Sequence, residues 1–210
     1  MNGLAAGEQL GGYIETTTIS LNNDGTILAI GVPKANSNIG TTRIYEWNGT
    51  AWALKGDYGI EGLVSGERSG WSVSLNGDGT IVAIGAYANN SEAGITRIYE
   101  WNGTAWILKT SGITGLTSGE ASGGSVSLSN NGKIVAIGAA NFDGGVGTDS
   151  GTTRIYEIGD ITGGEPEKLP AQSYVNIVND SGTNKYALNS NTTYVSAYGL
   201  EKGNYIFKNI

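Results

Sequence analysis

The sequence predicts an all-β protein, and three observations support this prediction. The chain has 210 residues, of which 35 are glycine and only 3 are proline, a composition typical of short strands joined by tight turns. Almost no stretch has the apolar periodicity of a helix. One segment recurs three times, and Arg43 and Arg97, which occupy the same place in two of the copies, lie 54 positions apart.

The composition of the chain argues against nucleic-acid binding, common types of catalysis and membrane insertion. The formal net charge of −7 argues against nucleic acid as a partner, because phosphate binding needs clustered Lys and Arg. The absence of histidine and cysteine removes the commonest general base, the Ser-His-Asp triad, disulfides and thiolate chemistry. Apolar runs are far too short to span a bilayer, and no signal peptide is visible. We therefore expect a protein that is neither an enzyme nor inserted in a membrane.

The second copy shows the order of strands within one repeat. Small or polar residues alternate with apolar ones over 70–75, and a turn rich in Asn and Gly follows. The run 80–85 is continuously apolar, as expected of a strand covered on both faces. Alternation resumes over 96–101, and Asn102-Gly103 is a hairpin signal that predicts a fourth strand at 104–109. Each repeat is therefore expected to be a four-stranded antiparallel meander.

A single meander cannot bury both of its faces, so the copies are expected to stack radially like the blades of a β-propeller. Blade repeats are predicted at 13–56, 70–110 and 124–160, within a first region 1–162. Known propellers have roughly four to eight blades, so three are too few to close a ring. Three explanations remain open: further blades lie outside this sequence, subunits complete one another, or the blades form an open stack. The expected partners are a second copy or other protein subunits.

Three sequence series carry a family resemblance. They read Gly-x-Ser-Val-Ser-Leu, Asp-Gly-Thr-Ile-Val-Ala-Ile-Gly-Ala and Gly-x-Thr-Arg-Ile-Tyr-Glu-Trp, and they resemble the FG-GAP repeat family, which includes the blades of the integrin alpha-subunit propeller. The resemblance covers roughly residues 1–160. It implies a propeller fold and a role in adhesion or scaffolding in extracellular or virion-associated proteins, rather than catalysis.

Calcium-binding members of that family carry several carboxylates in the loop between strands one and two. Here Ser20, Ser74 and Ser127 stand at the first acidic position, and Asp24 and Asp78 are the carboxylates that remain. We interpret these loops as turns stabilised by Asn and Asp side chains. Calcium is therefore possible but not favoured, and no other cofactor is expected.

The third repeat has a longer loop between strands two and three, since Arg97 and Arg154 are 57 positions apart. Its Asp143 and Asp149 are candidate metal ligands, because two carboxylates among glycines could wrap a cation. The alternative is a solvated insertion.

Two tryptophan pairs flank the Asn-Gly hairpin turns. The candidate ligand-binding residues are Trp47, Trp52, Trp101 and Trp106. They could form an aromatic surface that stacks on sugars, or they could pack the outer hairpin and the neighbouring blades. The arginines that recur in every copy are interpreted as structural, because recurrence at one position in each repeat serves the repeat itself.

Two carboxylate pairs were considered for a carbohydrate-cleaving propeller. These are Glu61 with Glu67 and Glu120 with Asp143, and glycosidase chemistry needs two carboxyl groups about 5–10 Å apart across a cleft. Nothing in the sequence places either pair together.

The repeats end before a linker at 163–172, and a small β module is predicted at 173–210. Truncation and strand exchange are the two alternatives left open for this module. Its ending, 200–207, is similar to the start of a cupredoxin-like segment, but the His-Pro pair of that pattern does not follow. This departure removes the metal role that the resemblance would imply. Tyr205 and Phe207 are the candidate assembly edge, because an unpaired apolar strand edge favours association.

The favoured function is a structural or adhesive module in an extracellular or virion-associated assembly that acts through protein–protein contacts. The alternative is a carbohydrate-binding propeller that uses the tryptophans, with carbohydrate cleavage as its weaker form. Calcium-regulated adhesion would need several protein oxygens around one ion.

Overall fold

The computed structural model describes residues 10–11, 18–143 and 148–159, together with the strands 173–180 and 183–189. None of the helices in these residues is long and apolar enough to cross a membrane. The linker at 163–172 and the assembly edge predicted at Tyr205 and Phe207 lie outside the described residues.

Strands are the main regular structure of the described residues, with only two short helical turns beside them, which confirms the all-β prediction. In these residues the elements are β1 (Ile19–Leu21), β2 (Ile27–Val32), α1 (Ala35–Asn38), β3 (Thr41–Trp47), β4 (Trp52–Leu54), β5 (Ile60–Glu61), β6 (Ser72–Leu75), β7 (Ile81–Ala86), α2 (Asn89–Glu92), β8 (Ile95–Trp101), β9 (Trp106–Leu108), β10 (Ile113–Thr114), β11 (Ser122–Leu128), β12 (Ile134–Ala139), β13 (Thr152–Glu157), β14 (Ser173–Asp180) and β15 (Thr183–Asn189).

Each repeat forms one antiparallel sheet. The first blade runs β1-β2-β3-β4, the second runs β6-β7-β8-β9, and the third begins β11-β12-β13. The register is the same from copy to copy, since Ile30 pairs with Arg43 in the first blade, as Ile84 pairs with Arg97 in the second. The meander predicted for each repeat is therefore the observed topology of the first two blades.

Strand four is divided in a way that the sequence pattern did not reveal. β4 pairs with the end of β3, whereas β5 pairs with its beginning at Thr41 and Thr42. β9 and β10 divide the edge of β8 in the same way. The outer edge of each of the first two blades is therefore covered by two short segments separated by a loop.

The two helical turns are left-handed rather than ordinary α-helix. Asn36 and Ser37 in α1 have φ values of 50° and 56°, and Asn90 and Ser91 in α2 have 49° and 55°. Asparagine tolerates this region better than most residues because its short polar side chain can bond locally. The turn presents carbonyl groups to the chain that leads into the next blade.

The hydrophobic core lies between the blades. We call the side of a sheet that meets the following blade its front face, and the side that meets the preceding blade its back face. In the first blade the front face consists of Ile27, Ala29, Ile44 and Ile60, which pack on the back face of the second, Val73, Leu75, Val82, Ile84 and Tyr99. The second blade packs in the same way on the third. Continuous apolar strands are thus covered on both sides wherever a blade has two neighbours.

The blades are arranged around a common axis. The turns after the innermost strands meet, because Asn23 N donates to Gly77 O and Gly77 N donates to Asn130 O. Asn23 Nδ2 of the first blade also donates to Asn130 Oδ1 of the third at 2.5 Å. Stacked sheets lie about 10 Å apart, so a flat stack would separate these two blades by about 20 Å. Their direct contact shows that the inner ends converge, as in a propeller, and excludes a flat stack. The three described sheets do not close into a ring.

The C-terminal strands extend the third sheet. β14 pairs with β13 at Arg154 and Ile155, and β15 pairs with β14, which gives the order β11-β12-β13-β14-β15. β14 therefore occupies the place of strand four, and the first two strands of the predicted C-terminal module join the blade.

Candidate functional site

Glycine lets the backbones of adjacent blades touch. A Cβ on Gly31 would lie 1.9 Å from Gly70 O, and a Cβ on Gly85 would lie 2.1 Å from Gly123 O. Real Cβ atoms do not approach a carbonyl oxygen so closely, so only glycine fits these positions. The chain entering the next blade also bonds to the left-handed turn, since Ser69 N donates to Ile39 O at 2.9 Å.

A buried ion pair joins each connector to the blade that follows it. Arg97 donates both of its terminal nitrogens to Glu67, at 2.7 and 2.9 Å, and Arg154 donates to Glu120 at 2.5 and 3.0 Å. The carboxylates are 1% exposed in both cases. Such bidentate pairs fix orientation as well as charge. Arg97 and Arg154, two of the recurring arginines, are thus placed where the blades meet.

Both glutamates are held as anions. Burial raises the pKa of Glu67. Hydrogen bonds from Arg97, Leu63 N and Asn89, together with the guanidinium charge, lower the pKa by more than burial raises it, so the net pKa is below its ordinary value. Glu120 has a net lowered pKa for the same reasons, with burial opposed by Arg154, Leu116 N and Thr117. These groups are poorly suited to donate a proton in a reaction near neutral pH.

The carboxylate pairs considered for carbohydrate cleavage are engaged elsewhere. Glu67 and Glu120 belong to the buried ion pairs, while the exposed Glu61 accepts a hydrogen bond from Asn36 Nδ2 at 2.7 Å. Asp143 accepts one from the backbone N–H of Asp149 at 2.7 Å. Each of these four carboxylates therefore already has a hydrogen-bond partner within the chain.

The two candidate metal ligands close the long third loop on itself. Asp143 and Asp149 are both exposed, and the bond between them spans the loop. Among the described residues, no group of three or more His, Cys, Asp or Glu side chains is placed to hold a metal ion.

The turns between strands one and two use their carboxylates within the turn. Asp24 Oδ1 accepts from the N–H and the hydroxyl of Thr26, and Asp78 Oδ1 accepts from Thr80 in the same way. These bonds lower the pKa of both aspartates. The serines at the end of strand one bond between blades, since Ser20 Oγ accepts from Leu75 N of the next blade at 2.9 Å.

The two tryptophan pairs have different surroundings although their geometry is alike. The ring centroids of Trp47 and Trp52 are 5.7 Å apart, and those of Trp101 and Trp106 are 5.5 Å apart. The second pair is covered by the first blade, because Trp106 Nε1 donates to Lys55 O and Lys55 Nζ lies 4.9 Å from the Trp101 ring.

The first pair lacks such a cover in the described residues, and Trp47 is 41% exposed. Of the four candidate ligand-binding residues, the first pair is therefore the more accessible.

One aromatic cluster does not recur in the other repeats. Arg68, Trp71 and Tyr87 meet beside the innermost strand of the second blade, where the Arg68 guanidinium donates to the Tyr87 hydroxyl. The rings of Trp71 and Tyr87 lie 4.3 Å apart, and the Arg68 guanidinium is 5.6 Å from the Tyr87 ring. All three side chains are half-buried.

The cluster lies at the end of the sheets that carries the connectors and the loops between strands two and three, which we call the loop face. The long third loop lies at the same end, and its Phe142 ring is 4.8 Å from the Arg154 guanidinium. Sequence reasoning missed this cluster. Comparison of the copies could have found it, because Ala121, Gly124 and Ala140 occupy its three positions in the third repeat.

Comparison with known proteins does not assign this chain to a protein family. No protein-family model and no curated protein matches the chain. Similar solved structures include TolB from Acinetobacter baumannii, with 15% identity, a TM-score of 0.38, and coverage of 83% of this chain and 40% of that one. Another is the β-propeller domain of the Trilobed protease from Pyrococcus furiosus, with 11% identity, a TM-score of 0.41, and coverage of 87% of this chain and 57% of that one.

The chain spans less than two thirds of either structure. The strand order and the radial packing of this chain identify its repeats as β-propeller blades. The FG-GAP and cupredoxin-like resemblances stay predictions.

Proposed function

We propose that this chain is a non-catalytic structural or adhesive module that acts through protein–protein contacts, in an extracellular or virion-associated assembly. The FG-GAP resemblance supports the adhesive role, and the composition gives no histidine or cysteine for catalysis. The observation that carries the proposal is the cluster of Arg68, Trp71 and Tyr87 on the loop face.

The difference between recurring and non-recurring positions is the reason. Recurring residues are used where blades meet: the Arg97 side chain is engaged by Glu67, and Gly85 lies against the Gly123 backbone. Neither residue is available to a partner. Among the described residues, the cluster of Arg68, Trp71 and Tyr87 side chains occurs in one blade only. Its residue types, Trp, Tyr and Arg, are those that dominate the energy of protein interfaces, and its rings are held by one another before a partner arrives.

Affinity capture with matched variants tests this proposal. The chain is immobilised as wild type, as Trp71→Ala and as Tyr87→Ala, with Trp47→Ala as the control that removes an aromatic residue away from the cluster. We expect a discrete protein retained by wild type and control to be lost or weakened at least tenfold by the cluster variants, and its direct binding to be reproduced with purified components. If retention is the same on all four, the cluster is not the contact surface.

Carbohydrate binding is a second candidate, favoured by the accessible pair Trp47 and Trp52. Stacking of a sugar ring would change tryptophan fluorescence. Titration with oligosaccharides should then give a saturable change that Trp47→Ala removes and Trp71→Ala retains. A change that survives Trp47→Ala would count against this surface.

A further inference from the structure

In the part of the chain that the structure describes, the front face of the third blade lacks the cover that its equivalents have. Ile134 is 46% exposed and Ile155 is 41% exposed, whereas the matching Ile81 and Ile98 of the second blade are 8% and 0% exposed. Ile134 occupies the position of Ile81 in the repeat, and Ile155 occupies the position of Ile98. An apolar surface that is core in one blade is therefore open to solvent in another.

The back face of the first blade is open along β1, although Ile30 on the same face is 6% exposed and a Cβ on Gly11 would lie 3.3 Å from the Ile19 side chain. Ile19 and Leu21 are each 54% exposed, while the matching Val73 and Leu75 of the second blade are 3% and 6% exposed. The described chain thus ends in two apolar faces that correspond to the two sides of its own internal interfaces.

An isoleucine-to-glycine contact shows that the two open faces are complementary. A Cβ on Gly79 would lie 2.8 Å from the Ile27 side chain, and a Cβ on Gly132 would lie 2.5 Å from the Ile81 side chain. One isoleucine of each front face thus packs over the turn glycine of the next blade. In the third blade the same isoleucine position is held by the exposed Ile134. In the first blade the same glycine position is held by Gly25, where a Cβ would meet nothing within 4 Å.

A recurring hydrogen bond follows the same pattern. Ser20 Oγ accepts from Leu75 N, and Ser74 Oγ accepts from Leu128 N, both at 2.9 Å and both between neighbouring blades. Ser127 stands at the acceptor position in the third blade and is exposed. Leu21 stands at the donor position in the first blade.

We infer that two copies of this chain close head to tail into a ring of six blades, with the front face of each third blade packed on the back face of the other copy's first blade. Both new interfaces would repeat the contacts already made twice within the chain. A second copy is the occupant because its face carries the residues that fit, with Gly25 under Ile134 and Leu21 beside Ser127.

The copy number follows from the propeller geometry. The inner turns of the three blades converge, so further blades added at this curvature lead towards closure, and closed propellers contain roughly four to eight blades. Six is the only multiple of three in that range. A heterologous contact that closes gives a ring, and one that does not close gives an open filament.

Mass in solution is the first test. Light scattering on the full chain over a range of concentrations should give twice the mass of one chain, and Ile134→Glu should shift the mass to that of a single chain. The control is Ile107→Glu, because Ile107 is also a half-exposed strand isoleucine, at 49%, but belongs to the second blade, which has neighbours on both sides. Circular dichroism checks that both variants keep their strands.

A disulfide test exploits the absence of cysteine from the chain. Ser74→Cys with Leu128→Cys, at an existing interface, should form a bond within one chain and shows whether the geometry permits cross-linking. Ser127→Cys with Leu21→Cys should instead form a bond between two chains, seen as a dimer on a non-reducing gel.

The outcomes separate this inference from the loop-face proposal, since Trp71→Ala should leave the mass unchanged. A single-chain mass at every concentration, with the internal disulfide formed and no dimer from the second cysteine pair, overturns the inference. Larger, open-ended species would also overturn the ring, because they would mean that the faces pair without closing.

Discussion

The second and third blades contrast most clearly at their front faces, because the two share nearly the same strand sequence in different surroundings. Ile98 is completely buried and Ile155 is 41% exposed, although both lie in the middle of an Arg-Ile-Tyr-Glu strand. The difference comes from the neighbour, since the second blade has one on each side. A blade thus forms its strands from its own sequence but depends on the next blade for the burial that stabilises it, as in other repeat proteins.

The ion pair between the first two blades should give the largest effect. Glu67→Ala leaves the buried Arg97 guanidinium without its carboxylate, and breaking a buried pair in this way costs about 3–5 kcal/mol. Urea denaturation should show this loss of unfolding free energy. Glu61→Ala is the control because Glu61 is exposed, and its effect should stay below about 1 kcal/mol. Equal effects would mean that the pair contributes no more than a surface carboxylate.

Truncation of the matched isoleucines tests the comparison directly. Ile98→Ala should cost about 2–5 kcal/mol because it leaves a cavity between blades, whereas Ile155→Ala should cost less than about 1 kcal/mol in a single chain. Thermal denaturation at low protein concentration measures both. In the six-bladed ring the Ile155 effect should grow with concentration, because the second copy then covers that face.

The matched glycines give a smaller contrast. Gly85→Ala places a methyl group 2.1 Å from the Gly123 carbonyl oxygen, so two blades must separate, at a cost of about 1–3 kcal/mol or more. In Gly138→Ala the nearest atom is the Ser125 hydroxyl, which can rotate away. Its melting temperature should fall less than that of Gly85→Ala, and the reverse order would contradict the close approach of the blades.

Acid should weaken the blade contacts through the two buried glutamates. Because the net pKa of Glu67 is lowered in the folded state, its contribution is present above the unfolded pKa of about 4.3 and is lost as pH falls through the folded value. Stability should therefore fall with decreasing pH below about 5. Glu67→Gln should flatten this dependence while lowering stability at pH 7. An unchanged pH profile would show that Glu67 does not carry it.

Local sequence rules predicted the four main strands of the repeat and the hairpin turns between them. The four strands of the second repeat fall within two residues of their predicted starts and ends, because alternation and the Asn-Gly turn are local signals. The divided strand four was missed because β5 and β10 are two residues long, too short for a periodic pattern. The left-handed turns were missed because they use Asn and Ser, which also occur in ordinary loops.

The sequence by itself determined the repeat, the strand order within each blade and the residue types that face each neighbour, since these follow from local periodicity and turn chemistry. Only the tertiary structure decided which glutamate pairs with which arginine, that Arg68, Trp71 and Tyr87 meet, and which of several equivalent apolar faces remain open. These features arise from contacts between residues far apart in the chain, and one-dimensional spacing does not encode how successive sheets turn around a common axis.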